Sequence, residues 1–156
     1  MKRPANQTLS EEAIRQKALA LLARREHSAR ELSRKLTAKG AEPEVAAQVV
    51  ERLRQENLLS DERFAEGFAH QRIEAGYGPI RIRHELREHG IEGDTIDRYL
   101  PRDEEEWRER ISKARNKRFG EETPADYRER ARQVRFLLYR GFDGEGIRAV
   151  LDVSEE

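Results

Sequence analysis

Arginine and lysine are the residues of this chain whose type and spacing could do chemistry, and that chemistry is the holding of anions. Arg24, Arg25, Arg30, Arg34, Lys35 and Lys39 crowd one region of the sequence. Arg72, Arg81, Arg83 and Arg87 crowd a second, and Arg108, Arg110, Lys113, Arg115, Lys117 and Arg118 a third, with Arg140 further on. Arg83 and Arg87 stand four apart, as do Lys113 and Lys117, so each pair shares a face on a helix. Cations ranked this way displace the counterions condensed on a nucleic acid, which gives salt-sensitive, sequence-tolerant binding. The competing reading is a set of solvated faces neutralised by Glu26, Glu31, Glu85 and Glu88. Recurrence of the clusters along the chain favours binding, because surface decoration has no reason to follow a period.

Other chemistry finds little footing. His84 and His89 enclose a Glu in a stretch reminiscent of a zinc protease box, but they are five residues apart. On a helix that spacing sets them roughly 140° apart, so one metal cannot take both. Gly76-Tyr77-Gly78-Pro79 begins like a dinucleotide loop without its third Gly or its strand, and a helix stop followed by a proline start accounts for all four residues. No phosphate-binding loop ending in Lys-Ser or Lys-Thr is present. The chain has no Cys, which excludes disulfides and thiolate metal sites. Nothing marks any carboxylates as facing one another across a cleft. The expectation is a protein that is not an enzyme and uses neither metal nor cofactor. A helix-turn-helix reading lacks a helix bearing base-reading side chains.

Composition sets the limits of the fold. Of 156 residues 40% are charged and 36% hydrophobic, so the core must be thin. Such values also suit disorder, but the apolar residues are placed periodically, which a disordered chain does not require. The formal net charge is +0, yet acid concentrates at Asp103 to Glu106 and at Glu121-Glu122, leaving the basic clusters locally in excess. A neutral total therefore does not exclude an anionic partner. Met1 to Ser10 lack the apolar run of a signal peptide and no stretch is long enough to span a bilayer, which predicts a soluble, cytoplasmic protein with no membrane partner.

The elements that position the cations repeat three times. Leu36, Gly40, Ala46, Val49 and Val50 overlie Leu86, Gly90, Ile96, Tyr99 and Leu100 after a shift of fifty, then Leu137, Gly141, Ile147, Val150 and Leu151 after fifty-one more. Each copy reads as a helix stopped by Gly and a second helix with an i, i+3, i+4 apolar pattern. Thr8 with Glu11 and Ser28 with Glu31 fit capping boxes. Pro43, Pro79 and Pro124 suit first helical positions. Gly40, Gly76, Gly90, Gly120 and Gly141 suit left-handed stops. The spacing predicts helices over 9–25, 29–39, 43–56, 61–75, 79–89, 94–100, 104–119, 124–140 and 144–151. The middle helix of the third group gains an extra turn upstream. Ile14, Ala18, Leu21 and Leu22 form one buried stripe and Val45, Val49 and Leu53 another. Phe64 with Phe68, Trp107 with Ile111 and Ala114, and Tyr127 with Ala131, Val134 and Leu138 continue the series. The fold class is all-α: three tandem three-helix repeats, over 1–59, 60–102 and 103–156, forming an elongated, curved array that grips a large partner.

Three segments carry a resemblance. Asp61-Glu62-Arg63-Phe64-Ala65, Arg72, Gly76-Tyr77-Gly78-Pro79-Ile80-Arg81-Ile82, Glu85-Leu86 and Gly90 resemble the central signature of the RecX family. Ala18 to Leu22, Arg24, Ser28, Glu31-Leu32, Leu36 and Gly40 resemble its N-terminal section, and Arg140-Gly141-Phe142, Ile147 and Leu151 its C-terminal section. Ser60 departs from the acidic residue expected there. The resemblance implies a non-catalytic bacterial regulator of the RecA recombinase, one that binds the RecA filament on single-stranded DNA within or across its groove. It would restrain ATPase, strand exchange and support of repressor self-cleavage. RecA filaments and single-stranded DNA are the expected partners, with double-stranded DNA a further candidate, and the protein is expected to be monomeric. Phe64 and Leu86 read as core, whereas Arg72 and Arg81 read either as contacts or as internal ion-pair partners. The rivals are a general DNA-binding helical protein acting without a recombinase and a metal-dependent nuclease, the latter lacking clustered carboxylates.

Overall fold

The computed structural model describes residues 9–153, and among them it holds nine α-helices and no strand. They are α1 (Glu11–Arg24), α2 (Ala29–Ala38), α3 (Pro43–Gln55), α4 (Asp61–Glu74), α5 (Pro79–Glu88), α6 (Gly93–Tyr99), α7 (Glu104–Phe119), α8 (Tyr127–Tyr139) and α9 (Gly144–Val153). None is long and apolar enough to cross a membrane.

Local signals account for most helix ends. Thr8 lies outside the described residues, and Ser10 caps α1, its Oγ accepting the Ala13 N–H at 3.1 Å. Ser28 caps α2 in the same way through the Glu31 N–H. The Glu31 carboxylate, expected to complete a capping box, instead takes the Arg25 guanidinium through two bonds of 2.9 Å. Pro43 and Pro79 open α3 and α5 as expected. Pro124 does not open α8, which begins three residues later behind Asp126, whose carboxylate accepts the Glu129 N–H at 2.8 Å. The cause lies in α7: Arg115 donates to the Glu122 carbonyl and holds the intervening chain in an irregular course. Helix α8 still has 13 residues against 10 in α2 and α5, so the extra turn is real. After Gly40, Gly76 and Gly141, all at positive φ, the next N–H returns to a carbonyl five residues back, from Ala41 to Leu36, Tyr77 to Arg72 and Phe142 to Leu137.

The described residues divide into two compact units, 9–67 with 88–91, and 68–87 with 92–153. In the first, α1, α2 and α3 pack on one another around Ile14, Ala18, Leu32, Leu36, Ala46, Val49 and Leu53. In the second, α7, α8 and α9 enclose Ile111, Leu137, Phe142, Ile147 and Leu151, with Trp107 packed against them. The expected stripe on α8 is displaced. Tyr127 is 85% and Leu138 49% exposed, and the helix buries Gln133 and Leu137 instead. Gln133 is inside because its Oε1 accepts from Arg115 Nε at 2.9 Å, so a polar pair occupies a place that hydrophobic periodicity assigns to apolar side chains.

Candidate nucleic-acid interface

In the second unit the loop from α4 to α5 meets the loop from α8 to α9. Gly78 N–H donates to the Arg140 carbonyl at 2.7 Å and Ile80 N–H to the Gly141 carbonyl at 3.0 Å. A Cβ on Gly78 would run into the Gly141 carbonyl, and one on Gly141 into Arg81. Glycine on both sides therefore permits this approach, which sequence reading reduced to a helix stop and a proline start. Its consequence is to gather arginines from separate helices.

Tyr77 is the centre of that gathering. The guanidiniums of Arg81, Arg140 and Arg72 lie 4.4, 4.7 and 5.1 Å from its ring centroid, within the range where a cation is drawn to the ring quadrupole. One carboxylate, Glu85, serves the group. Its Oε1 accepts from Arg81 Nε at 2.9 Å, and its Oε2 lies 2.8 Å from Arg72 Nε at an angle too oblique for a hydrogen bond. Three cations against one carboxylate leave a local positive excess. Arg72 and Arg81 are thus internal ion-pair partners, yet both stay partly accessible, with side chains 35% and 30% exposed.

Arg140 continues this cluster into an open cleft of about 240 Å³ between α4, α7 and α8. Its cations are Arg110, Lys113, Lys117, Arg118 and Arg140, and its floor is Ile73, Ala75, Gly76, Ala114 and Phe136. Arg140 and Arg118 lie 5.1 and 5.7 Å from the Phe136 centroid, and Phe119 meets the same ring edge-on at 5.3 Å. Glu74 is the acidic residue of the lining; Arg110 binds it at 2.9 Å and holds its carboxyl below the usual carboxylate range. The cleft can accept anions, with an apolar floor to exclude water beneath them.

The remaining candidates are dispersed. Arg24, Arg34 and Lys39 are exposed in the first unit. Arg25 is committed to Glu31, and Lys35 Nζ lies 3.0 Å from Nε2 of the buried His27, so Lys35 is no simple surface cation. Arg83 binds Asp97 at 2.6 Å and lowers its pKa; Arg87 is exposed on the same helix. Arg115 is a correction: it is 3% exposed and spent on Gln133 and the Glu122 carbonyl, so it supports the cleft wall rather than facing a ligand.

Comparison with known proteins bears on this arrangement. The models for the first, second and third three-helix domains of RecX match residues 15–53, 60–100 and 104–151. The chain belongs to the RecX family. It is 45% identical over 145 residues to the regulatory protein RecX of Halorhodospira halophila, covering 93% of this chain and 90% of that protein. With its counterpart in Pseudomonas syringae pv. tomato the identity is 46% over 130 residues, 83% and 84% of the two chains. The crystal structure of RecX from Lactobacillus salivarius shares the fold with a TM-score of 0.76 at 18% identity, covering 93% of this chain and 96% of that one.

Seen in the structure, the RecX-like signature is mostly architectural. Ser60, the departure from the expected pattern, caps α4 by accepting the Arg63 N–H at 3.1 Å. Asp61 accepts the Ala29 N–H at 2.8 Å and so ties the start of α4 to that of α2. Sequence reading missed Tyr77, Phe136 and Tyr139 as partners of the arginines, whereas Arg110, named in the third basic cluster, lines the cleft. Proximity in sequence did carry one hint, since Tyr77 and Arg81 are four apart across a Gly-Pro turn. The pairing of Tyr77 with Arg140 had no local signal.

Proposed function

We propose that this chain is a non-catalytic regulator of the RecA recombinase that binds RecA filaments on single-stranded DNA and restrains their ATPase, strand exchange and support of repressor cleavage. The observation that carries the reading is the presence of all three RecX three-helix domains in order, with curated relatives named as regulatory proteins over nearly their whole length. The cationic cleft supports an anionic component in the partner, because several of its cations have no carboxylate of their own in the lining. DNA phosphates supply that anion directly, and acidic patches on recombinase protomers supply it equally well.

The test compares naked single-stranded DNA with the same strand coated by RecA, at physiological salt. The expected result is tighter binding to the coated strand. Equal or weaker affinity for the coated strand favours a general DNA-binding protein that acts without a recombinase.

A further inference from the structure

Tyr139 is the last residue of α8 and is 74% exposed, unusual for a side chain that brings so much apolar area to a surface. Its ring is not isolated. The Arg81 guanidinium lies 5.1 Å from its centroid and 4.4 Å from that of Tyr77, so arginine stands between two aromatic rings. Arg81 is fixed in that position by Glu85 at 2.9 Å and by a 3.3 Å bond from its Nη1 to the Tyr139 carbonyl. Arg72 and Arg140 flank the same group and share its positive excess.

We infer that Tyr139 is a stacking platform for an unpaired base of a single-stranded nucleic acid, whose flanking phosphates are met by Arg81, Arg140 and Arg72. A flat ring backed by a held guanidinium loses little freedom when a further planar group is laid on it. A nucleotide supplies both missing parts at once, a π face for Tyr139 and an anion for the arginines, as in sequence-tolerant single-strand binding. Duplex DNA supplies only the anion, because its bases are already stacked. The Tyr139 platform therefore confers preference for single strands, whereas the neighbouring cleft, whose Phe136 ring is already engaged by Arg118 and Arg140, contributes charge. The inference rests on single-stranded DNA being a partner of the protein.

The test uses the full chain without recombinase, and an oligothymidylate containing one fluorescent adenine analogue whose emission is quenched by stacking. The wild type is expected to quench the analogue. Y139A and Y139L should each weaken single-strand binding by about tenfold and abolish quenching, while Y139F retains both. Duplex affinity and the salt slope should stay unchanged in all three, since every phosphate-binding cation is still in place. Absence of quenching by the wild type, equal losses on duplex and single strand, or full retention by Y139L overturns the inference. An acidic aromatic peptide that competes at Tyr139 while the base analogue stays unquenched also overturns it, assigning the face to a protein. Failure here with RecA ATPase still restrained separates this inference from the proposed regulatory function.

Discussion

His27 is 1% exposed, with Nδ1 3.1 Å from the Arg25 carbonyl and Nε2 3.0 Å from Lys35 Nζ. A carbonyl only accepts and an ammonium only donates, so the ring is neutral with its proton on Nδ1. Burial, joined by the charges of Arg25 and Lys35, lowers its pKa below the ordinary 6.5. Above 6.5 neither state is protonated and this stability is fully present. As pH falls below 6.5 the unfolded chain takes up the proton first, and stability declines until the folded imidazole is protonated too. Urea midpoints between pH 7.5 and pH 5 should therefore fall less steeply for H27Q than for the wild type; equal slopes would exclude His27 as the source. Gly78 offers a second check, because an added Cβ meets the Gly141 backbone rather than a yielding side chain. G78A should lose about 1–3 kcal/mol in denaturant unfolding, while G93A, with nothing within 4 Å of the new Cβ, should lie within about 0.5 kcal/mol of the parent. Neither His27 nor Gly78 was legible as a constraint in the sequence. His27 looks like a loop residue beside basic neighbours, and the partner of Gly78 lies 63 positions away.

At the scale of elements the sequence was far more legible. Helix stops at Gly and starts at Pro43 and Pro79 are local events, written within one turn of the chain, and they appear where the residues place them. Failures arose where the polar side chain of Arg115 accompanies a departure from the local signal. Arg115 reaches the Glu122 carbonyl where Pro124 fails to open α8, and its bond to Gln133 accompanies the burial of Gln133 while Leu138 faces outward. The cationic faces can now be tested element by element without disturbing the core. K113E/K117E on α7 reverses two exposed cations of the cleft, and R34E/K39E reverses one on α2 and one at its C-cap, sparing Lys35 beside His27. K113E/K117E should weaken binding to RecA-coated strands. Where DNA phosphates are what these lysines meet, the salt slope should also drop by about 0.7 for each phosphate no longer neutralised on a single strand. Weakening by R34E/K39E as well is expected if the clusters act together. Unchanged filament affinity in both folded variants would remove these faces from the docking surface.

For the whole molecule, membership of the RecX family rests on three domains in order, and the chemistry of the second unit supplies a cationic face consistent with an anionic filament. The family resemblance was legible because its motifs combine helix ends with a few arginines, and those residues also build the Tyr77 cluster. The site as a unit was not legible, since it joins α4, α5, α7 and α8 through pairs separated by as many as 65 residues, such as Arg140 with the Ala75 carbonyl at 3.3 Å. Restraint of the recombinase by a protein with no turnover of its own is tested most directly by the ATPase rate of RecA on single-stranded DNA, titrated with this chain and with K113E/K117E. The rate is expected to fall as the chain is added, the variant to restrain it less, and the chain alone to hydrolyse no ATP. An undiminished RecA rate at saturating protein, or ATP hydrolysis by the pure chain, would contradict it.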